Sequence, residues 1–355
     1  MTRLATAART AATHRLFWPA LVLAVLVLGN VAFTPNFLHI EVRAGHLYGS
    51  LIDILRLGAP LVVVSLGMTV VIATRGIDLS VGSTIAISGA LACLVISDQG
   101  DQNSVGGVLV AVGLALALSL VLGLWNGFLV AGIGIQPIIA TLILMVGGRG
   151  IAQLITDGQI ITVNSDPYEL IGGGYLATLP FSVLVAVVMI AVTTVLARRT
   201  ALGVLIEATG GNAEASRLAG IRARGIMVMV YLFCGLCAGI AGLMISSNVH
   251  SADGNNAGLW YELDAILAVV IGGTSLGGGR FSLGGTVLGA LIIQALSTTV
   301  YTVGIPPETT MLFKAVVVTI VCLIQSPAFR AKVFGRRPRS TPTTPSEPAK
   351  IEVPA

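Results

Sequence analysis

Five side chains stand where their chemistry is at odds with their neighbours. Asp78 and Ser80 lie in TRGIDLSVG (residues 74–82), Arg149 in LILMVGGRGIAQLI, and Glu262 and Asp264 in NNAGLWYELDAILAVVIGG, each between apolar runs. A carboxylate in such a setting has three uses: it can relay a proton, line a watery path for a polar solute, or accept from the free amides that open a helix. If the flanking runs cross a bilayer, an ionised group facing lipid costs about 2.5–3.5 kcal/mol, so these groups must face other helices, carbonyls or water. Asp78 and Ser80 read as N-caps for a helix that begins near residue 81, with a translocation path or gate as the alternative. Arg149 needs a carboxylate, a carbonyl or water beside it. Glu262 and Asp264 read equally as interfacial caps just below Trp260 and Tyr261 or as groups facing an aqueous cavity.

A second constellation lies in ALGVLIEATGGNAEASRLAGI (201–221). Asn212 has the side chain of an N-cap, Glu214 suits a first turn, Arg217 a last turn, and Gly220 the residue after a helix end, so residues 213–219 are expected to form a two-turn helix. Such a helix can dock into a groove on another protein, or it can simply connect two elements.

Equally informative is what the chain lacks. None of its lysines follows a glycine, so the G-x-x-x-x-G-K-[ST] phosphate loop is absent and any ATP must be bound by a separate subunit. No cluster of His, Cys and carboxylates suggests a metal, and no nucleophile stands with a base. The four cysteines, Cys93, Cys234, Cys237 and Cys322, all fall in apolar segments; Cys234-Gly-Leu-Cys237 has CxxC spacing but no second pair, and reads as small packing residues. Neither an enzyme nor a nucleic-acid binder is indicated, and no cofactor is expected.

Positioning these groups is the task of an all-α, polytopic transmembrane bundle. The chain is 55% hydrophobic and only 10% charged, against roughly 25% charged in soluble domains. About ten spans are expected, near residues 16–34, 52–74, 81–97, 107–130, 137–155, 180–197, 226–246, 260–274, 283–303 and 310–326; eight spans plus re-entrant segments is the alternative. Residues 1–15 read as a cytoplasmic N-terminus, and the first apolar run as an uncleaved helix rather than a signal peptide. Residues 16–326 form the membrane domain, with a cytoplasmic loop at 198–225. The Pro-rich tail, 327–355, is expected to be disordered. Orientation follows from basic residues, which stay inside. Arg3, Arg9, Arg15, Arg75, Arg198, Arg199, Arg217, Arg222, Arg224, Arg280 and six after Gln325 would be inside, sixteen of the twenty; Arg43 alone would lie outside, with Glu41, Asp98, Asp101, Asp157, Asp166, Glu169, Asp253 and Glu308. Both termini are then cytoplasmic. Residues 70–91 and 269–291 echo each other weakly, each an apolar run, a glycine-rich break with one arginine, and a second apolar run.

Several stretches together carry a resemblance. GMTVVIATRGIDLSVGSTIAISGAL, WNGFLVAGIGIQPIIATLILMVGGRGIAQLITDGQIIT, the 200–221 loop and NNAGLWYELDAILAVVIGGTSLGGGRFSLGGTVLGALI are similar to the permease subunits of bacterial ABC sugar importers of the ribose, xylose and galactofuranose group. NNAGLWYELDAILAVV together with PPE looks most like the galactofuranose branch. The resemblance spans about residues 50–326; Arg75 departs from it, standing where a glycine is common. It implies a multi-pass protein of the inner membrane that passes a monosaccharide. It also implies partners: a cytoplasmic ATPase subunit, an extracytoplasmic sugar-binding protein and a second permease, homologous or identical. The segment that would couple to the ATPase is 206–221, with Glu207, Asn212, Glu214, Arg217, Gly220 and Ile221. The rival is a proton-coupled secondary transporter of a small polar solute, relaying protons through Asp78, Glu262 or Asp264.

Overall fold

The computed structural model describes residues 16–34, 36–43, 45–304, 306 and 309–325; the N-terminal segment 1–15, Glu308 and the tail 327–355 lie outside the described residues. Each of the ten apolar stretches is helical: α1 (Phe17–Phe33), α2 (Ser50–Ala73), α3 (Val81–Ser97), α4 (Val105–Gly127, continued by a π-helical turn Phe128–Ile133), α5 (Pro137–Ile155), α7 (Phe181–Arg199), α10 (Ala223–Val249), α11 (Tyr261–Ile271), α12 (Leu283–Val303) and α13 (Thr310–Gln325). Between them lie three short helices, α6 (Asp166–Gly172), α8 (Leu202–Gly211) and α9 (Ala213–Leu218). Six of the described helices have both the length and the apolarity to cross a membrane: α2, α4 with its π-helical turn, α5, α7, α10 and α12. The protein is thus a polytopic helical membrane protein.

Helix ends follow local chemistry. Ser104 accepts from the amide of Gly107 at the start of α4, and Ser282 from that of Gly285 at the start of α12. Gly134 and Gly304 close their helices with positive φ, a conformation glycine adopts without the Cβ penalty.

The bundle is arranged around α2, which is buried from Gly58 to Ala73 and packs against α10, α12, α7 and α11. Helices α4, α5 and α7 lie outside it and present Leu109, Val121, Ile143, Val146, Val187 and Val195 outward. An exposed apolar face of that kind on long apolar helices suits lipid. Contact between α4 and α10 depends on glycines: a Cβ at Gly235 would lie 2.6 Å from the Ser119 carbonyl oxygen, and one at Gly123 would lie 2.7 Å from that of Tyr231. This close backbone approach is how membrane helices associate without a hydrophobic driving force. Cys93, Cys234 and Cys237 are free and buried, and Cys234 and Cys237 pack against Gly67 of α2; the side chain of Cys322 is outside the described set.

Alternate connections gather at two ends. At one end are three two-stranded antiparallel ribbons: β1 (Glu41–Arg43) with β2 (His46–Tyr48), β3 (Ile160–Thr162) with β6 (Ser251–Asp253), and β4 (Tyr175–Leu176) with β5 (Leu179–Pro180). The Leu47 amide donates to the Thr178 carbonyl, and those of Asn164 and Asp166 donate to Gln102 and Asn103. The breaks at 74–80 and 272–282 meet the 198–222 loop at the other end, the Gly279 amide donating to the Ala73 carbonyl at 2.8 Å.

One span departs from expectation. Helix α11 has 11 residues, about 16 Å at 1.5 Å per residue, half of a bilayer's hydrocarbon thickness. The residues before it descend into the bundle alongside α5: Gly254 lies against Ala152, Ala257 receives a hydrogen bond from Arg149, and Gly258 and Glu262 lie against Gly82 near the start of α3. Trp260 and Tyr261 therefore do not open a full span at its interface. Helix α11 starts midway and stops at the Gly272–Gly273 pair, where Gly273 has φ +84°.

Candidate functional site

The break TRGIDLSVG is built around a buried carboxylate. Asp78 is 1% exposed, and its Oδ1 accepts from the Ser80 amide at 3.0 Å, the Ser80 hydroxyl at 2.6 Å and the Asn126 side-chain amide at 3.3 Å. Asn126 Nδ2 also donates to Ser80 Oγ at 2.8 Å. This corrects the capping expectation. Ser80 is the N-cap residue of α3, yet its side chain makes no cap hydrogen bond; it serves Asp78 instead. Asp78 takes the amide two residues ahead of it, the bond of an Asx-turn, and shapes the turn rather than the helix start. Among the described residues Asp78 has no ion-pair partner. Tyr231 of α10 presses its hydroxyl against Gly76, and both Tyr231 Oη and Asn126 Oδ1 are buried with no hydrogen-bond partner among the described residues. Beside the Cys234 thiol of α10, which also bonds Asp78, the cluster is Asp78, Ser80, Asn126 and Tyr231. The last two came from no motif: each is one polar side chain within an apolar helix, LGLWNG and MVMVYLF, and that was the available signal.

A second cluster lies past the first turn of α3. Glu262, 4% exposed, lies against Gly82, where an added Cβ would collide with its carboxylate. Arg149 donates to the Ala257 carbonyl at 2.6 Å and to that of Gly254 at 3.4 Å, so carbonyls supply the partner its position demanded. Asp253 accepts from Asn256 Nδ2 at 2.7 Å and from the amides of Asn255 and Asn256, which organises the turn that carries Ala257. A cavity of about 210 Å³ adjoins it, lined by Ile85, Gly89, Gly242, Ser246, Asp253 and Ala257 among others.

Asp264 joins neither cluster. It accepts from Lys314 Nζ at 2.8 Å, with both side chains about one-fifth exposed, which ties α11 to α13. Asp264→Asn is expected to leave a half-buried ammonium without its counter-charge and to cost about 2–3 kcal/mol, seen as a lowered Tm in detergent. Asp264→Asn with Lys314→Met should recover most of that loss.

The 200–222 loop is folded as two helices. Asn212 accepts from the Ala215 amide at 3.0 Å and caps α9 as its position implied. Glu214 and Arg217 pair at 2.6 Å, both well exposed, and the Arg217 side chain holds the Glu214 carboxyl below the usual carboxylate range. Gly220 closes the helix with φ +84°, and Ile221 donates its amide back to the Ser216 carbonyl at 2.9 Å. Glu207, 30% exposed, lies 3.6 Å from Arg198, which also donates to the Phe281 carbonyl at 3.0 Å and lies over the Phe281 ring. Val204 of α8 and Leu218 of α9 are 71% and 79% exposed, so the exposed side chains of the two helices include apolar groups as well as the Glu214–Arg217 pair. Inward, α8 comes into backbone contact with the break: Gly210 touches the Ala73 carbonyl, and Arg75 donates to the Gly211 carbonyl at 2.6 Å and the Gly277 carbonyl at 2.9 Å.

Residues 50–322, from the start of α2 into α13, match the family described as branched-chain amino acid transport system / permease component. The chain belongs to this permease family. The permease is 48% identical over 339 residues to the galactofuranose transporter permease protein YtfT of Escherichia coli K12, covering 93% of this chain and 96% of that protein. It is 40% identical to the fructose import permease protein FruF of Bifidobacterium longum, over 89% and 88% of the two chains. To the ribose import permease protein RbsC of E. coli K12 it is 37% identical, over 86% and 92%. No solved structure matches the permease.

Proposed function

We propose that the permease is the membrane subunit of a bacterial inner-membrane ABC importer that passes a monosaccharide, a pentose or a hexose, into the cytoplasm by alternating access. The observation that carries this reading is the full-length similarity to permeases named for galactofuranose, fructose and ribose. Similarity to the galactofuranose permease extends furthest, so that sugar is the first candidate. In this reading the chain crosses the membrane about ten times, residues 254–260 and α11 together making one crossing, and both termini are cytoplasmic. A separate subunit binds and hydrolyses ATP, consistent with a chain that has no phosphate loop. A sugar-binding protein docks at the end bearing the strand ribbons, and a second permease, identical or homologous, completes the path. The helix pair α8–α9 meets the ATPase through Val204, Glu214, Arg217 and Leu218, while Asp78, Ser80, Arg149 and Glu262 lie toward the path.

The test is uptake in proteoliposomes. Transport that requires ATP, the ATPase subunit and the binding protein, and that survives an uncoupler, supports this reading; uncoupler-sensitive uptake by the permease alone overturns it in favour of proton coupling. Reversing both charges, Glu214→Arg with Arg217→Glu, preserves the pair within α9 while inverting what a partner meets. It is expected to weaken co-purification with the ATPase subunit about tenfold, the effect of placing like charges across an interface. Undiminished assembly and uptake would remove α9 from the coupling surface.

A further inference from the structure

We infer that Arg75 is the tie through which movement of the α8–α9 pair reaches the buried carboxylate turn, a positioning role that rests on the coupling reading above. Three observations converge on this residue. Its guanidinium holds two loops at once, Nη2 on the Gly211 carbonyl at the C-terminal end of α8 and Nε on the Gly277 carbonyl of the break before α12. Two separate nitrogens of one planar fork reach the two carbonyls, whereas the three donors of a lysine all radiate from a single nitrogen. The Gly211 carbonyl also lies at the negative end of α8, where a cation is favoured.

Secondly, Arg75 sits at φ +66°, a left-handed backbone that favours glycine, so its side chain rather than its backbone preference accounts for an arginine there. Its stem is also used, since Gly278 lies against Arg75 Cγ.

Finally, the turn behind Arg75 is short. Gly76, the next residue, touches the Tyr231 hydroxyl, and Asp78 is two beyond that, with Ser80 and Asn126 bonded to it. The Gly279 amide on the Ala73 carbonyl and the backbone contact of Gly210 with Ala73 lock the same three segments from the other side. Helix α8 therefore cannot withdraw from the break without carrying residues 74–80 and 277–279 along, unless the arginine bonds part.

The full complex with ATPase subunit and binding protein tests this. Arg75→Gly deletes the fork while keeping a backbone that suits φ +66°, so the variant should fold at least as well; Arg75→Lys keeps the charge but reaches one carbonyl at a time. Spin labels on cysteines at the exposed Ala201 and Leu276, in a background that keeps only the buried Cys234 of the native cysteines, report the separation of the start of α8 from the 272–279 break. Wild-type protein is expected to show one narrow distance both without nucleotide and when trapped with ATP and vanadate. In Arg75→Gly the distance should broaden on trapping, and ATP consumed per sugar taken up, measured with radiolabelled galactofuranose, fructose and ribose, should rise about fivefold or more, the low end of typical coupling between sites. Arg75→Lys should fall between. Wild-type distances and wild-type ATP per sugar in Arg75→Gly, with Tm unchanged, would overturn the tie while leaving the importer reading intact. ATP-independent uptake by the wild-type complex would instead overturn that reading and the tie with it.

Discussion

Gly210→Val is expected to abolish uptake almost completely while leaving the chain inserted in the membrane. The position has no room on either side: an added Cβ falls on the Ala73 carbonyl and within 2.8 Å of the Gly279 amide nitrogen, both of them backbone. Neither can rotate away as a side chain would, so α8 must move outward. Doing so separates the Gly211 carbonyl from Arg75, a hydrogen bond costing roughly 1–3 kcal/mol once left unmade in a packed site. None of the membrane-crossing helices loses its packing, so expression and insertion should persist. Uptake below about one-tenth of wild type is the expected result, a loss equivalent to about 1.4 kcal/mol or more in the coupled step. The neighbouring Gly211→Ala is the control, because nothing lies within 4 Å of its Cβ, and it should transport normally. Equal loss in both variants would show that helix propensity in α8, rather than its contact with the break, controls transport.

How much of this was legible in the chain depends on whether the determinant was local. The ten apolar stretches all became helices because length and apolarity are properties of contiguous residues. Helix α9 was equally legible, since Asn212, Glu214, Arg217 and Gly220 each act within one or two turns, and only its last residue differed, Leu218 against an expected 219. Helix α8 falls in a segment that reads as loop and ends in the glycine pair 210–211; Gly210 serves for close contact with Ala73 of α2, a fact about a segment more than a hundred residues away. Trp260 and Tyr261 have the residue types of an interfacial belt, yet the glycines at 254 and 258 let the chain pass between α3 and α5 before α11 begins. Counting charges groups Arg75 with the 198–222 loop, which it touches, but says nothing of its two carbonyls, 136 and 202 residues distant. Glu262 and Asp264, two residues apart and similar in type, go to opposite fates because successive helix positions do not share a face: one is buried on Gly82, the other held by Lys314. The candidate residues were thus found from type and setting, while their grouping had to come from packing.

Asp78 gives the second large effect, and two substitutions separate its possible duties. Asp78→Ala removes the acceptor for the Ser80 amide, the Ser80 hydroxyl and the Asn126 amide, in a site already holding Asn126 Oδ1 and Tyr231 Oη without partners. Leaving these donors unmet in the interior should cost about 2–4 kcal/mol, visible as a lower Tm in detergent and poor yield. Asp78→Asn behaves differently, because its side-chain oxygen can occupy the place of Oδ1 and accept the same bonds. An amide also costs less to bury than an ionised carboxylate. A turn-shaping role alone would therefore be served by asparagine at least as well as by aspartate, and burying a titratable carboxyl without an ion-pair partner is a cost that such a role does not explain. Asp78→Asn is accordingly expected to keep wild-type yield and Tm within about 1 kcal/mol and to lose most uptake, placing the requirement on the titratable carboxyl group. Full uptake in Asp78→Asn, with the instability of Asp78→Ala retained, would confine Asp78 to holding the turn and move the path to the Glu262 and Arg149 side of α3.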